Sequence, residues 1–383
     1  MRMLVLGAGL QGSACAYDLL QSPAVERVTL GDLLVDTLPP FLDIYHDDPR
    51  LRLERVDARD RAAVRALMRG HDACLSALPY YLNLAITEDA IAGGLHYCDL
   101  GGNTDIVFQQ MELDGEARER QVSVIPDCGL APGMVNVLAE LGIRELDDVA
   151  HVRIKVGGLP QEPEPPLDYQ IVYSLHGVLD YYTTPGWVLR DGQPVRVEAL
   201  SHVEDVDFPA PIGTLEAFHT GGGLSTLPWK YQGKIAAMEY KTLRYPGHAH
   251  IMRAIRDLGL LGMEPVRVGG ADVVPRDVFI SVVEPLLRKP GGKDLVALRV
   301  EVEGTSEGSE RHIVFDCIDR FDEHTGISAM GRTTGFSLSI TGQMQVTGRV
   351  NGAGVLTPDE AIPGEEYIGE LERRGIGIVR TER

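Results

Sequence analysis

The stretch LVLGAGLQGSACAYDLL, residues 4–20, joins a short apolar run, a glycine-rich turn and a second apolar run with helical spacing. The first run is typical of a strand buried on both faces of a parallel sheet. Gly7 permits a tight turn, Gly9 lets a ligand approach the backbone, and Gly12 lets the following helix pack against the strand. The amide groups and the dipole at a helix N-terminus attract phosphate. The turn therefore predicts a pyrophosphate site formed by Gly7, Ala8, Gly9, Leu10, Gln11 and Gly12.

Asp32 completes the pattern expected of a dinucleotide-binding unit. A second strand, VERVTLGD, ends at Asp32, 20 residues after Gly12, where an acidic residue accepts hydrogen bonds from the adenosine ribose. A carboxylate there repels the 2′-phosphate of NADP, and Leu33 and Leu34 supply no arginine to offset it. We therefore expect NAD as the cofactor. Asp57, after a third strand, is a candidate for the adenine edge, and capping of the next helix is the equal alternative.

The alternation of strands and helices continues to about residue 133. DACLSALP (72–79) predicts a fourth strand. It ends at Ala77, Leu78 and Pro79, which we expect to lie beside the nicotinamide half of the dinucleotide. HYCDLGG and VSVIPDCGLAPG each begin with a further strand. This rhythm indicates an α/β domain with a doubly wound parallel sheet of the Rossmann type. Ligands of such sheets bind beyond the carboxyl ends of the strands.

The composition is that of a globular protein. A length of 383 residues favours two domains, and 44% apolar and 24% charged residues are typical of a soluble chain. A formal charge of −20 argues against nucleic acid and anionic membranes as partners. We expect no signal peptide and no membrane span. The five cysteines are scattered, so we expect reduced thiols, no metal site and a cytoplasmic location.

After Pro132 the pattern changes to alternating strands with proline-rich connections, such as VAHVRIKVGGL and LVALRVEVEG. These segments predict antiparallel, half-buried strands in an α+β domain with a mixed sheet. TTGFSLSITGQMQV and PDEAIPGEEYIGELERRG predict helices that return to the first domain. We therefore divide the chain into a Rossmann domain (1–133), a second domain (134–330) and C-terminal helices (331–383), with the substrate in the cleft between the domains.

Six motifs carry a resemblance to a known family. They are GLAPGMVN (129–136), VGGLPQEPEPPLDYQI (156–171), YYTTPGWVLRDG (181–192), TLRYPGH (242–248), VVEPLLR (282–288) and GRTTGF (331–336). In this order they resemble the saccharopine dehydrogenase-like family, and most closely its lysine 6-dehydrogenase branch. The resemblance covers nearly the whole chain. It implies a second domain that binds substrate and forms a homodimer, C-terminal helices that pack on the first domain, and NAD as the cofactor.

The resemblance also implies a reaction, the oxidative deamination of L-lysine. The ε-carbon loses a hydride to NAD, and water hydrolyses the resulting imine to ammonia and 2-aminoadipate 6-semialdehyde, which cyclises to a piperideine carboxylate. A free lysine amine titrates at about pH 10.4, so the site needs a base or surroundings that lower that pKa. It also needs a cation for the substrate carboxylate.

Three residues are candidates for the chemistry. Asp99 in YCDLGG and Asp127 in PDCGLAPG follow predicted strands at the ligand-facing edge of the sheet, where either carboxylate could hold or deprotonate an amine. Capping of the following loop or helix is the equal alternative for both. Cys128 is a candidate beside the nicotinamide, with a small buried thiol as the alternative.

Four further residues are candidates for substrate binding. Arg244 in TLRYPGH is our candidate for the substrate carboxylate, because a guanidinium can donate two parallel hydrogen bonds to it; a structural salt bridge is the alternative. His248 is a candidate for proton transfer, although satisfying backbone groups at the start of a helix is the favoured interpretation. Tyr80 and Tyr81 are candidates for the pocket wall, and the core is the alternative.

Two other functions remain open at this point. The first is a dehydrogenase or reductase for a secondary amine such as saccharopine or a carboxylated polyamine. Such a substrate carries more carboxylates and calls for several cations, which Lys230, Lys234 and Lys241 could supply. The second is a regulator that binds NAD without catalysis.

Overall fold

Residues 1–382 are described by a computed structural model. Strands and helices alternate along the first domain. The strands are β1 (Arg2–Leu6), β2 (Arg27–Asp32), β3 (Leu51–Arg55), β4 (Ala73–Ser76), β5 (His96–Asp99) and β6 (Ser123–Ile125). The helices are α1 (Leu10–Gln21), α2 (Arg61–Met68), α3 (Asn83–Gly93), α4 (Thr104–Met111) and α5 (Asp114–Glu119), with short 3₁₀ turns at Pro40–Tyr45 and Tyr80–Leu82.

The first sheet confirms the predicted Rossmann-type architecture. Its strands lie in the order β6-β5-β4-β1-β2-β3, and all neighbours run parallel. Met3, Leu4, Val5 and Leu6 of β1 are fully buried, which explains the continuous apolar run of this central strand. The order reverses between β1 and β4, so the crevice at the carboxyl ends of these two strands is where a ligand is expected.

The second domain contains a larger sheet and five helices. The helices are α6 (Met134–Arg144), α7 (Leu175–Thr183), α8 (Leu227–Lys230), α9 (His248–Asp257) and α10 (Pro275–Leu287). The strands are β7 (Asp148–Pro160), β8 (Gly186–Arg190), β9 (Gln193–Val197), β10 (Glu204–Phe208), β11 (Gly213–His219), β12 (Ala237–Arg244), β13 (Val266–Val268), β14 (Ala271–Val273), β15 (Asp294–Ser306) and β16 (Ser309–Arg320).

The second sheet is mixed, as predicted, but one pairing differs from the expectation of antiparallel strands. Its main path runs β10-β11-β12-β7-β15-β16. β7 and β12 run parallel, with Ala237 opposite His151. The remaining pairs on this path are antiparallel. The connection between them carries α7, α8 and β8 to β11, and this long crossover returns the chain to the same end of the sheet.

The C-terminal segment contacts both domains. It comprises α11 (Ala329–Gly331), a π-helical turn (Arg332–Phe336), α12 (Ser337–Val346), β17 (Gly354–Val355), α13 (Pro358–Ala361), α14 (Gly364–Arg373) and β18 (Val379–Glu382). α12 packs against α1, β4 and β5, and β17 pairs with β6. An ion pair between Arg374 and the buried Asp18, 2.7 Å apart, ties the segment to α1. β18 pairs with β16 of the second sheet, a strand that the prediction of helices did not include.

No helix among residues 1–382 combines the length and the apolar character needed to cross a bilayer.

Candidate active site

A cavity of about 710 Å³ lies between the two domains. Its first wall comes from the carboxyl ends of β1 and β4: Gln11 follows β1, and Ala77, Leu78 and Pro79 follow β4. Its second wall comes from α7 and β12, which contribute Asp180, Tyr182 and Arg244 among others. The ligand-binding crevice of the Rossmann-type sheet therefore opens directly onto the second domain.

The glycine-rich turn fits a dinucleotide. A Cβ on Gly12 would overlap the carbonyl oxygen of Gly7, so α1 can approach β1 only with glycine at this position. Gly9 precedes α1 without a side-chain cap, and nothing lies within 4 Å of the point where its Cβ would be. Both amide atoms of Gln11, at the cavity wall, are buried without a hydrogen-bond partner in residues 1–382. An open backbone at a helix N-terminus and an unpartnered amide beside it suit a phosphate-linked cofactor.

Asp32 ends β2 beside this turn. Its Oδ2 accepts the N–H of Ala8 at 2.7 Å, and its Oδ1 accepts the N–H of Leu34 at 2.9 Å. These bonds hold the carboxylate at the edge of the turn, where the fingerprint places the ribose. Arg55 lies opposite Asp32 on β3, and its guanidinium is paired with Asp36.

Asp57 is held by a neighbouring side chain. Its carboxylate accepts the backbone N–H of Arg59 at 2.9 Å and pairs with Nη2 of the same residue at 2.8 Å. The arginine holds the pKa of Asp57 down, at about 2. α2 is capped by Asp60, whose Oδ1 accepts the N–H groups of Ala62 and Ala63. The alternative that Asp57 caps this helix is therefore wrong, and its contact with adenine stays a prediction.

Tyrosine rings form much of the cavity wall. The six that line it are Tyr80, Tyr81, Tyr173, Tyr181, Tyr182 and Tyr240. Tyr80 and Tyr81 thus lie at the predicted cavity. Aromatic rings give the cavity a largely apolar wall that excludes water from a bound ligand. The other four come from α7, the segment before it and β12, and sequence reasoning missed them.

Arg244 is a buried cation that faces this cavity. It is 4% exposed, and its guanidinium carbon lies 4.8 Å from the ring centre of Tyr169. Nη1 donates to the carbonyl of Leu243 at 2.8 Å, and Nε donates to the hydroxyl of Tyr182 at 3.1 Å. No carboxylate in residues 1–382 forms a salt bridge with Arg244. Because a buried charge without a counter-ion is costly, this arrangement favours an anionic ligand.

His248 lies behind Arg244 and outside the cavity wall. It is 2% exposed, with Nδ1 2.9 Å from the carbonyl oxygen of Leu167 and Nε2 2.9 Å from the hydroxyl oxygen of Tyr182. Burial, together with the nearby Arg244, lowers the pKa of His248 to about 3. The histidine is therefore neutral at physiological pH, and the backbone contact at Leu167 matches the favoured interpretation of the sequence.

Asp99 belongs to a buried polar network and is not part of the cavity wall. Its Oδ2 accepts from the amide of Gln110 at 2.7 Å, and its Oδ1 accepts the N–H of Asp127 at 3.2 Å. Burial raises the pKa of Asp99. A catalytic role for this carboxylate stays a prediction.

Asp127 lies directly behind the cavity wall. Gly101 is in the wall, and a Cβ on it would overlap Oδ1 of Asp127. The same oxygen accepts the N–H of Gly102 at 3.1 Å, and the backbone of Asp127 has the left-handed φ of 61°. Burial raises the pKa of Asp127 to about 7. The carboxyl is thus close to the cavity but covered by main chain, and its catalytic role stays a prediction.

Cys128 is 2% exposed and belongs to the core rather than to the cavity wall. Its thiol lies 3.1 Å from the carbonyl oxygen of Ile125. This is the environment of the small buried thiol that was the alternative for this residue.

The lysines considered from the sequence lie outside the cavity wall. Lys230 pairs with Glu140 at 3.0 Å and Asp359 at 2.6 Å, and Lys241 pairs with Glu204 at 3.0 Å. Neither of them, nor Lys234, is in the cavity wall, in which Arg244 is the one Lys or Arg among residues 1–382.

Among residues 1–382, no group of three or more His, Cys, Asp and Glu side chains is arranged to hold a metal ion.

Comparison with known proteins agrees with the fold. The Saccharopine dehydrogenase NADP binding domain matches residues 3–125, and the Saccharopine dehydrogenase C-terminal domain matches residues 129–376. Two curated relatives are saccharopine dehydrogenases [NADP(+), L-glutamate-forming]. The one from Pyricularia oryzae is 27% identical over 55% of this chain and 48% of its own length. The one from Schizosaccharomyces pombe is 22% identical over 86% of this chain and 88% of its own length. A third relative, carboxyaminopropylagmatine dehydrogenase from Synechocystis, is 20% identical over 98% and 96%.

Solved structures share the whole fold. Apo saccharopine dehydrogenase (L-Glu forming) from Saccharomyces cerevisiae matches with a TM-score of 0.80 at 18% identity and covers 100% of this chain and 99% of that one. Homospermidine synthase from Legionella pneumophila in complex with NAD matches with a TM-score of 0.69 at 11% identity over 100% and 91%. Fold and glycine-rich turn thus define a dinucleotide-binding protein of the Rossmann type, and its curated relatives are named as dehydrogenases. The chain belongs to the saccharopine dehydrogenase family.

Proposed function

We propose that this protein catalyses the NAD-dependent oxidative deamination of L-lysine at its ε-carbon. L-Lysine, NAD⁺ and water are converted to 2-aminoadipate 6-semialdehyde, ammonia, NADH and a proton. The observation that carries this proposal is Arg244, which among residues 1–382 is the one Lys or Arg of a cavity wall with six tyrosines, is buried and has no carboxylate partner. An amino acid with one carboxylate and a reactive amine matches that arrangement.

Arg244 orients the substrate through its carboxylate. The guanidinium reaches the cavity from the end of β12, whereas the glycine-rich turn and Pro79 form the opposite wall. A substrate held by its carboxylate at Arg244 extends its side chain toward the first domain. Bound at the turn, the dinucleotide supplies the hydride acceptor.

The tyrosine wall favours the neutral form of the bound amine. Burial disfavours the ammonium form and so lowers the pKa of a bound amine. The neutral amine is the form whose carbon can release a hydride. The aromatic rings also limit access of bulk water to the reacting carbon.

The number of cations separates L-lysine from saccharopine, the substrate that the names of two relatives suggest. Saccharopine is a secondary amine with three carboxylates. Lys230 and Lys241 are occupied by Glu140, Asp359 and Glu204, and they lie outside the cavity wall. One cation matches one carboxylate, which favours L-lysine.

The position of Asp32 supports NAD as the cofactor. Its carboxylate is held against the glycine-rich turn, and Arg55, the nearest cation on β3, is already paired with Asp36. The 2′-phosphate of NADP would therefore be repelled by the carboxylate of Asp32, and the guanidinium of Arg55 that could offset this repulsion is already paired. The names of the two fungal relatives specify NADP(+), so this preference needs its own measurement.

Absorbance at 340 nm tests the proposal. Purified protein is assayed at about pH 9–10 with NAD or NADP and with L-lysine, L-ornithine or saccharopine in parallel. We expect NADH formation with L-lysine and NAD. Turnover with saccharopine but not with L-lysine would assign the protein to the secondary-amine dehydrogenases, and NAD binding without turnover of any amine would favour a regulator.

A further inference from the structure

Arg244 is connected to the main chain of another segment through two side chains. Leu167 offers a carbonyl oxygen, which only accepts hydrogen bonds, so Nδ1 of His248 carries the hydrogen and donates to it. In the neutral ring, Nε2 is then an acceptor, and the hydroxyl of Tyr182 donates to it. The oxygen of that hydroxyl accepts from Nε of Arg244. Every bond in this chain has one possible direction.

The ring of His248 is held in place by contacts at both nitrogens and on its face and edge. Both nitrogens are engaged, and Phe218 stacks on the ring at 6.4 Å with an angle of 10° between the planes. The ring of Tyr169 lies edge-on at 5.6 Å. His248 is also absent from the cavity wall. Direct contact between this histidine and a substrate is therefore excluded by position, in contrast to the proton-transfer role considered from the sequence.

The same bonds determine which atoms of Arg244 remain for a ligand. Nε is used by Tyr182, and Nη1 is used by the carbonyl of Leu243. In residues 1–382, Nη2 makes no hydrogen bond. Rotation about the Cδ–Nε bond would turn the Nε–H and both Nη groups away from these positions, and the bond to Tyr182 opposes that rotation.

We propose, on the basis of the proposed function, that Tyr182 and His248 are positioning residues, which hold the guanidinium of Arg244 in the one orientation that presents Nη2 to the substrate carboxylate. His248 does so without touching the substrate. Substrate recognition at this site thus depends on the chain from Leu167 to Arg244 as well as on the arginine itself.

Two substitutions of His248 separate positioning from simple packing. In His248→Gln, the side-chain carbonyl can reach the place of Nε2 and accept from Tyr182. In His248→Asn, the shorter amide can reach only the place of Nδ1 and donate to Leu167. Both replace the ring with an amide, but only the first retains the acceptor that fixes Tyr182.

Binding of L-lysine and of 1,5-diaminopentane, which lacks the carboxylate, is measured by calorimetry on the NADH-loaded protein. We expect His248→Asn and Tyr182→Phe to weaken binding of L-lysine about tenfold, the loss of one net hydrogen bond, and to leave 1,5-diaminopentane unchanged. His248→Gln should retain most of the affinity for L-lysine. Equal losses for both amines, or equal losses in the Gln and Asn variants, would overturn the proposal.

Crystal structures of the His248 variants provide a readout that does not depend on the substrate. The guanidinium of Arg244 should be rotated or present in two orientations in His248→Asn and unchanged in His248→Gln. An unchanged guanidinium in both variants would contradict the positioning role. If the wild-type protein binds no L-lysine, the proposed function fails, and these structures still decide the positioning role.

His219→Asn is the matched control. His219 is as buried as His248 and lies in the same domain, next to Phe218 on β11. Since Phe218 contacts His248, alternation along the strand directs His219 to the opposite face of the sheet. We expect this variant to bind L-lysine normally.

Discussion

The guanidinium of Arg244 lies 4.8 Å from the ring centre of Tyr169, and this aromatic face compensates part of its charge in the absence of a carboxylate. A cation over a buried aromatic ring gains about 2 kcal/mol. Tyr169 therefore allows the protein to keep a cation buried and still free for an anionic ligand.

This relationship predicts the effect of two substitutions at Tyr169. Tyr169→Phe keeps the ring and should change the free energy of unfolding by less than about 1 kcal/mol. Tyr169→Leu removes the ring and should destabilise the protein by about 2–3 kcal/mol, since it combines lost packing with a less compensated charge. Thermal unfolding of the three proteins measures the difference. Equal stability of Phe and Leu variants would show that the ring does not stabilise Arg244.

The close packing of Gly101 on Asp127 predicts an intolerant position in the cavity wall. Gly101 has a φ of 63°, and a Cβ there would overlap Oδ1 of Asp127. Gly233 has a similar φ of 72°, with nothing within 4 Å of its missing Cβ. Gly233→Ala should cost about 1–2 kcal/mol, the price of the left-handed backbone alone.

Gly101→Ala should cost at least about 2 kcal/mol more, because it also displaces a buried carboxyl from the N–H of Gly102. Unfolding by urea compares the two variants, and equal losses would mean that the wall adjusts around Asp127.

The raised pKa of Asp127 predicts a pH dependence of stability. Burial raises this pKa to about 7 from about 4. Between these values the folded protein binds more protons than the unfolded chain, so the free energy of unfolding falls as the pH rises from about 4 to about 7. The slope is at most about 1.4 kcal/mol per pH unit.

Asp127→Asn removes this titration and tolerates the left-handed φ of 61°. The melting temperature of the wild type should therefore decline relative to that of the variant between about pH 4 and pH 7. Parallel curves for the two proteins would contradict the assignment.

The carboxylate of Asp32 predicts the choice of cofactor. Asp32→Asn retains an acceptor for the N–H of Ala8 but removes the charge that repels a 2′-phosphate. We expect the ratio of kcat/KM for NAD to that for NADP to fall about tenfold or more, mainly through a lower KM for NADP. Steady-state kinetics with both cofactors measure this ratio. A wild-type preference for NADP would refute the role of Asp32, and Arg55 would then be the residue to examine.

The local motifs were predictable because neighbouring residues determine them. A strand, a glycine turn and a helix N-terminus occupy residues 2–21, and Asp32 ends the next strand, so the Rossmann-type half follows from short-range patterns. The parallel pairing of β7 and β12 was not predictable, since an apolar alternation carries no information on strand direction.

The site was predicted only in part, for a similar reason. The strand-end rule placed Asp99 and Asp127 at the correct edge of the sheet, but their depth depends on the main chain at Gly101 and Gly102, which folds over them. Along β12 a signal was available. Tyr240, Thr242 and Arg244 alternate and line the cavity, and the same alternation directs Lys241 to the other face, where it meets Glu204.

The central claim is that Arg244 receives the carboxylate of an amino-acid substrate. The most direct measurement is kcat/KM for L-lysine and for 1,5-diaminopentane, with NAD, in the wild type, Arg244→Ala and Arg244→Lys. We predict that Arg244→Ala lowers kcat/KM for L-lysine about a hundredfold and leaves the value for 1,5-diaminopentane within about twofold, since the charge-assisted hydrogen bonding from Nη2 is lost only with the carboxylate. Arg244→Lys should recover part of the loss. A comparable decrease for both amines, or none for L-lysine, would contradict the account.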